Sequence, residues 1–409
     1  MTAIADGIKG GLHPDLYQRR AAADPQPRSA GFATPDIYTS SDEEVNEVPA
    51  SKAAGRVTVS RLKSTPADPL SKNGTASGEA KLRQLARDSP FFELGTPIDR
   101  YELVKLVVML PVVLLKFLLL IPIIVLAWVV LQLLLIGHVK QTPMHPLRGR
   151  LVGAWVKGGA RLVLFFSGYY HIGCKGWQNM RLAQESRSIL VFNHESYVDA
   201  AAMAAFFAPS GVAKSGVASI PFIGRFAVAL QFFFIERKGT HDKSNRFVLK
   251  RDPIQSIKER AADRRYPLVM MAPEATTKPK RCLLKFRRGA FAAGAPVAPV
   301  VITYRFQHFN PGWGIVYTPL HVYRLLAQYV NHMELRVLPP IHPTPEERED
   351  PMLFAKRVRQ VMSKEMGAPL VEQGVSDERE LMTNGVTPNL WGTDVIIPSR
   401  KSNGLRAEE

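Results

Sequence analysis

Cysteine is almost missing from this chain, with only Cys174 and Cys282 among 409 residues. That excludes a disulfide scaffold and a four-thiolate zinc site. Several signatures of known chemistry are missing as well. There is no G-x-S-x-G elbow, no Walker loop and no G-x-G-x-x-G opening a helix after a strand. His194-Glu195 begins like H-E-x-x-H, but position 198 is Val and no second His follows within a helical turn. The metalloprotease pattern therefore fails. No calcium loop of the D-x-[DN]-x-[DN]-G kind occurs towards the C-terminus. Neither a metal nor a bound cofactor is expected. No apolar core follows the first few residues, so no cleavable secretory leader is expected.

Acidic residues are in deficit: 53 Lys and Arg face 36 Asp and Glu, a formal charge of +17. Up to residue 92 there are twelve basic and eleven acidic residues, so the surplus lies beyond that point. A basic globular part suits polyanionic partners such as nucleic acid, anionic lipid or phosphorylated substrates. No nucleic-acid recognition motif accompanies the charge, so no nucleic-acid partner is expected.

Polarity is segregated along the chain. Residues 1–92 are rich in Ala, Ser, Pro, Gly and acids with no sustained apolar period, and read as a disordered tail. The hydrophobic mass sits at residues 106–137, and 117–137 carries no charge. That stretch is long enough to cross a hydrocarbon core of about 30 Å. Pro111, Lys116 and Pro122 interrupt the run, so one tilted crossing and a re-entrant helical hairpin both fit. Residues 93–140 are thus expected to anchor the protein in a membrane. His138, Lys140, His145, Arg148, Arg150, Lys157 and Arg161 follow with no acid among them, which favours a cytoplasmic location for what comes next. Residues 151–170 read either as a helix at the bilayer surface or as the first core helix.

From about 186 to 340 short β-rich runs alternate with helical ones. Strands are predicted at 188–192, 232–235, 268–271, 297–304 and 335–338, and helices at 198–207, 242–265 and 350–366. Continuous apolar strands between helices point to an α/β sheet covered on both faces. A body over 141–369 and a polar tail over 370–409 complete the predicted organisation.

The chemistry-bearing segment is Asn193-His194-Glu195-Ser196-Tyr197-Val198-Asp199, directly after the first predicted strand. Polar groups at the carboxyl end of such a strand face the ligand crevice. With His194 in the turn and Asp199 in the first helical turn, the carboxylate can hold one imidazole nitrogen while the other takes a proton. Ser196-Tyr197-Val198-Asp199 also reads as a helix capping box with no catalytic role for Asp199. Both readings remain open on spacing alone.

Four segments in order carry a resemblance. Residues 193–199 resemble the H-x-x-x-x-D block of glycerolipid acyltransferases. Phe233-Phe234-Ile235-Glu236-Arg237 is similar to their second block, Pro273-Glu274-Ala275-Thr276-Thr277 to their P-E-G-T block, and Val297-Ala298-Pro299-Val300-Val301 to their fourth. Residues 282–291 narrow the likeness to the lysophosphatidylcholine/lysophosphatidylethanolamine branch, and Asn331-His332-Met333-Glu334 looks like its plant-type members. The resemblance implies a mixed, mostly parallel sheet flanked by helices. It also implies acyl transfer from acyl-CoA, as co-substrate, to the free hydroxyl of a lysophospholipid at a membrane, usually of the endoplasmic reticulum.

By that resemblance His194 is the base and Asp199 its orienter, Arg237 holds the lysolipid phosphate, and Glu274 with Thr276 shapes the glycerophosphate pocket. Lysophosphatidic acid or glycerol 3-phosphate is the alternative acceptor, and a catalytically silent lipid-binding protein is the alternative of another class. Ala275 departs from the usual Gly, adding a Cβ where positive φ or close ligand approach is needed. Thr277 stands where the lysophosphatidic acid branch carries Arg. The basic residues Lys278, Lys280, Arg281, Lys285, Arg287 and Arg288 suit the anionic coenzyme or bilayer headgroups.

Overall fold

The computed structural model describes residues 86–140, 142–214, 220, 222–235 and 253–397. Its centre is a seven-stranded sheet in the order β1-β7-β6-β2-β5-β3-β4. These strands are β1 (Ile172–Lys175), β2 (Ile189–Phe192), β3 (Ser210–Lys214), β4 (Phe233–Ile235), β5 (Val269–Met271), β6 (Val297–Arg305) and β7 (His332–Val337). Every pairing is parallel except β6 with β7, so β1 and β7 run against the other five. The sheet is mixed and mostly parallel, as the sequence suggests.

Period-two alternation covers both faces. On β2, Leu190 and Phe192 enter one apolar cluster while Ile189 and Val191 enter another. Met270 on β5 and Ala298, Val300 and Ile302 on β6 join the first; Val269, Met271, Val297 and Val301 join the second. Helices α2 (Pro146–Phe166), α3 (Trp177–Glu185), α4 (Val198–Phe206) and α5 (Ile223–Ala229) close the first face. Helix α6 (Pro253–Ala262), within the helix predicted over 242–265, contributes Ile257 and Ala261 to the second. Two further helices, α7 (Thr318–Leu326) and α8 (Pro345–Glu349), precede α9 (Pro351–Met366), the main cover of that face. Its boundaries follow from sequence: Asp350 caps by accepting from Met352 N at 2.9 Å, Pro351 sits at N1, and Gly367 ends it at φ 58°.

Helix α1 (Arg100–Leu134) runs unbroken through Pro111 and Pro122, so the hydrophobic run is one helix rather than a hairpin. At 1.5 Å per residue its 35 residues span roughly 50 Å, more than a hydrocarbon core needs. Although α1 is apolar all round, one stripe of it is buried: Leu106, Met109, Val113, Lys116, Leu120, Ala127 and Leu131, spaced by threes, fours and one seven. Val107, Val108, Leu114, Leu118 and Ile121 on the other sides are exposed. Lys116 does not break the run. Its ammonium donates to the Leu326 carbonyl at 2.6 Å, at the carboxyl end of α7, where a cation meets the negative pole of the helix. Helix α2 is a core helix, burying Val152, Val156 and Leu164, and it exposes Leu147, Leu151 and Phe165.

Both predicted tails are shorter than the sequence suggests. Phe91 and Phe92, placed at the end of the leading tail, are fully buried. The segment read as a polar tail from 370 holds α10 (Val375–Thr383) and a hairpin of β8 (Thr387–Pro388) and β9 (Val395–Ile396). Leu381, Val386 and Val395 pack with Phe91, Phe92, Cys282 and Leu284 in a third cluster. Each of these segments is mostly polar, and only long-range contact gives its few apolar residues a core. Residues 1–85 and 398–409 lie outside the described residues.

Candidate active site

Strand order brings the site together. After β2 the chain places β3 two positions away, returns with β5 into the gap, then adds β6 on the other side of β2. The carboxyl ends of β2 and β5 thus open on the switch point where α/β sheets bind ligands. Register does the rest. Val191 pairs with Met271, so His194 and Glu274, each three residues further on, emerge side by side.

His194 Nδ1 lies 2.9 Å from Asp199 Oδ2 across a buried contact, the pair that the sequence pattern anticipates. The same Oδ2 accepts from the backbone N–H groups of Glu195 and Ser196, each at 2.8 Å, and Oδ1 accepts from the Tyr304 hydroxyl. Four groups thus surround a carboxylate that has no exposed surface. Asp199 reaches back to the Ser196 N–H as the acid of a capping box does, and the same oxygen contacts the His194 ring.

Asn193 fastens the turn to the sheet, its side-chain amide exchanging two hydrogen bonds of 2.8 Å with the main chain of Ile302 on β6. Tyr304, two residues on, faces the same side and reaches Asp199. Beneath the turn, Glu274 accepts from His194 N at 2.9 Å, from Lys278 Nζ at 2.7 Å and from Leu284 N at 2.8 Å. Glu274 and Lys278 have no exposed surface. Burial by itself lowers the Lys278 ammonium, but the Glu274 and Glu195 carboxylates outweigh it and hold it above its ordinary value. Glu195 is itself pushed up to about 7, first by burial and then by the Asp199 and Glu274 charges, against the pull of Lys278.

An acyltransferase family profile matches residues 173–303, the stretch that carries most of β1 to most of β6 and the groups above except Tyr304. Lysophospholipid acyltransferase LPEAT1 of Arabidopsis thaliana is 35% identical over 48% of this chain and 48% of its own length. LPEAT2 of the same plant is 28% identical over 68% of this chain and 50% of its own, and a Drosophila melanogaster lysophosphatidylcholine acyltransferase is 30% identical over 54% and 40%. Residues 173–303 are thus similar to an acyltransferase domain. The chain spans about half the length of these curated relatives.

The other anticipated residues fare differently. Glu274 is not a pocket wall. With its carboxylate saturated and no exposed surface, it is a brace between the β5 loop and the His194 turn, because an ionised group so deep must be fully partnered. Thr276 donates to Glu378 of α10, so it ties the loop to the C-terminal segment. Arg237 lies outside the described residues. The run of basic residues after Glu274 is no single patch: Lys278 turns inward, Arg281 donates to the Met366 carbonyl, and Lys280 Nζ reaches the Arg87 carbonyl at 2.9 Å.

Ala275 adopts φ 60°, so the loop does require the left-handed conformation and this residue meets it at a cost of roughly 1–2 kcal/mol. Tyr304 and Lys278 were missed as site residues; the only sequence signal was that each follows a block of the resemblance. A further group lies beside the turn. Tyr197 OH is 3.3 Å from His321 Nδ1, His321 Nε2 is 3.1 Å from the Gly312 carbonyl, and the Trp313 ring meets Tyr197 edge-on. Burial pushes the His321 imidazole down to about 3, so it stays neutral and structural at ordinary pH. Among the described residues no group of three or more His, Cys, Asp or Glu is arranged to hold a metal ion.

Proposed function

We propose that this protein is a membrane-bound, acyl-CoA-dependent lysophospholipid acyltransferase with His194 as general base and Asp199 as its orienter. The observation that carries the reading is the buried His194–Asp199 contact at the carboxyl end of β2, with four donors on the carboxylate. A glycerol hydroxyl is a poor nucleophile at neutral pH. As its oxygen attacks the thioester carbonyl carbon, its proton passes to His194 Nε2, and the Asp199 charge stabilises the imidazolium formed. Collapse of the tetrahedral adduct breaks the C–S bond, and the imidazolium returns the proton to the departing coenzyme A thiolate. Such help is worth about 10²–10⁴-fold. No acyl-enzyme is needed, and burial pushes the Cys282 thiol up to about 12 and the Cys174 thiol up to about 11, which suits neither to act as a nucleophile.

The lysophosphatidylethanolamine or lysophosphatidylcholine acceptor is favoured by the names of the relatives and by Thr277 in place of Arg. Arg237 is the proposed phosphate clamp. Helix α1 is the proposed membrane anchor, with the catalytic body on the cytoplasmic face of the endoplasmic reticulum, and the working unit extends over 86–397. The test is release of free coenzyme A thiol from a set of acyl-CoAs, offered with lysophosphatidylethanolamine, lysophosphatidylcholine, lysophosphatidic acid or glycerol 3-phosphate. Release with either of the first two supports the assignment. Release only with the last two transfers it to the alternative acceptors, and no release with any supports the silent lipid binder.

A further inference from the structure

A cavity of about 400 Å³ lies at the opposite end of the sheet from His194. Its floor comes from residues just before strands begin: Phe207 and Ala208 before β3, Leu230 and Gln231 before β4, and Pro267 before β5. The proposed active site follows strand ends, so the two are separated by the length of the parallel strands. The remaining wall is one face of α2.

That face has an unusual composition. Arg150, Gly153, Ala154 and Lys157 stand at i, i+3, i+4 and i+7, and Gly149 adds a second glycine. A Cβ built on Gly153 meets nothing within 4 Å, so the groove is open beside the backbone. Two long cationic side chains thus flank a strip of helix that presents almost no side chain. Neither Arg150 nor Lys157 forms an ion pair among the described residues, and residues 138–161 contain no acid to neutralise them. The floor is mainly apolar.

The groove also adjoins the helix that the proposed function puts in the bilayer. Trp155 Nε1, on the same helix, donates to the Ala127 carbonyl of α1 at 3.1 Å, and α5 carries Arg225 beside Gln132 of α1. We infer that the α2 groove is a second, non-catalytic phospholipid site, with an anionic headgroup phosphate between Arg150 and Lys157 and the upper acyl chain over Phe207, Leu230 and Pro267. Paired cations give charge-assisted bonds to phosphate oxygens, and the missing side chains at Gly149 and Gly153 leave room for the glycerol. The membrane placement rests on the proposed function, but the site does not depend on acyl transfer.

The test uses full-length protein in neutral detergent micelles, titrated with phosphatidylglycerol and followed by native mass spectrometry. Wild type is expected to retain one phosphatidylglycerol. Arg150→Gln with Lys157→Gln, and separately Gly153→Leu, are expected to weaken retention about tenfold or more. Lys140→Gln with Arg148→Gln removes the same charge outside the groove and is expected to leave retention unchanged. Equal loss in that control pair shows diffuse attraction and overturns the inference. Undiminished retention in the Arg150/Lys157 pair, both exposed and so unlikely to unfold the chain, overturns it too. Inorganic phosphate binding as well as the lipid, with the same Arg150 and Lys157 dependence, overturns the assignment to a lipid. Coenzyme A release measured on the same preparations is expected to persist in every variant, so its absence in wild type counts against the proposed activity and not against this site.

Discussion

Asp199 receives its donors from three places: the imidazole it orients, two peptide groups of the same turn, and Tyr304 on β6. Removing the last leaves the other three, the His194 contact among them, intact. Tyr304→Phe is therefore expected to lower kcat about three- to tenfold with KM little changed, measured as thiol release under saturating lysolipid. Glu195 has a pH signature of its own. Its pKa of about 7 lies above that of an unfolded glutamate, so the folded state binds the extra proton between roughly pH 4.5 and 7. The stabilisation is full below pH 4.5 and is lost as pH rises through 7, by linkage on the order of 3 kcal/mol. Thermal melts across that range are expected to show Glu195→Gln with a flatter decline than wild type; an unchanged slope refutes the assignment.

At the scale of elements, the loop after β5 is the piece under strain. Ala275→Gly relieves the left-handed penalty but adds unfolded-chain entropy, and is expected to stabilise by about 0.5–1 kcal/mol in denaturant melts. Lys278→Met leaves the Glu274 charge buried without its partner and is expected to cost about 3–5 kcal/mol, much of it regained with Glu274→Gln. What was legible in the sequence follows the same division. His194 and Asp199 sit five residues apart after a strongly apolar strand, so local pattern offers them as a pair, and the resemblance singles them out. The partners Tyr304 and Lys278 depend on the register of three strands, and no local period encodes that. Strand β3, Ser210-Gly211-Val212-Ala213-Lys214, escaped notice because it holds a single β-branched residue and a glycine where the Phe232 ring packs within 2.5 Å of a would-be Cβ.

Over the whole molecule, the ends of the described chain close on each other. Phe91 and Phe92 pack with Leu381, Val386 and Val395, and Arg87 pairs with Asp394 at 2.9 Å. The apolar side chains set this contact, since an ion pair at such exposure contributes little. Phe91→Ala is expected to cost about 3–5 kcal/mol in a melt, whereas Arg87→Ala is expected to change it by less than about 1 kcal/mol. The long helix α1 is apolar on all sides, yet its buried stripe and Lys116 show that it lies along the body of the fold rather than apart from it.

The most direct measurement compares wild type, His194→Ala and Asp199→Asn in identical membrane preparations, following thiol release from acyl-CoA with lysophosphatidylethanolamine. The account predicts loss of turnover by about 10²–10⁴-fold in both variants with membrane attachment unchanged. Near-normal turnover by His194→Ala would contradict it.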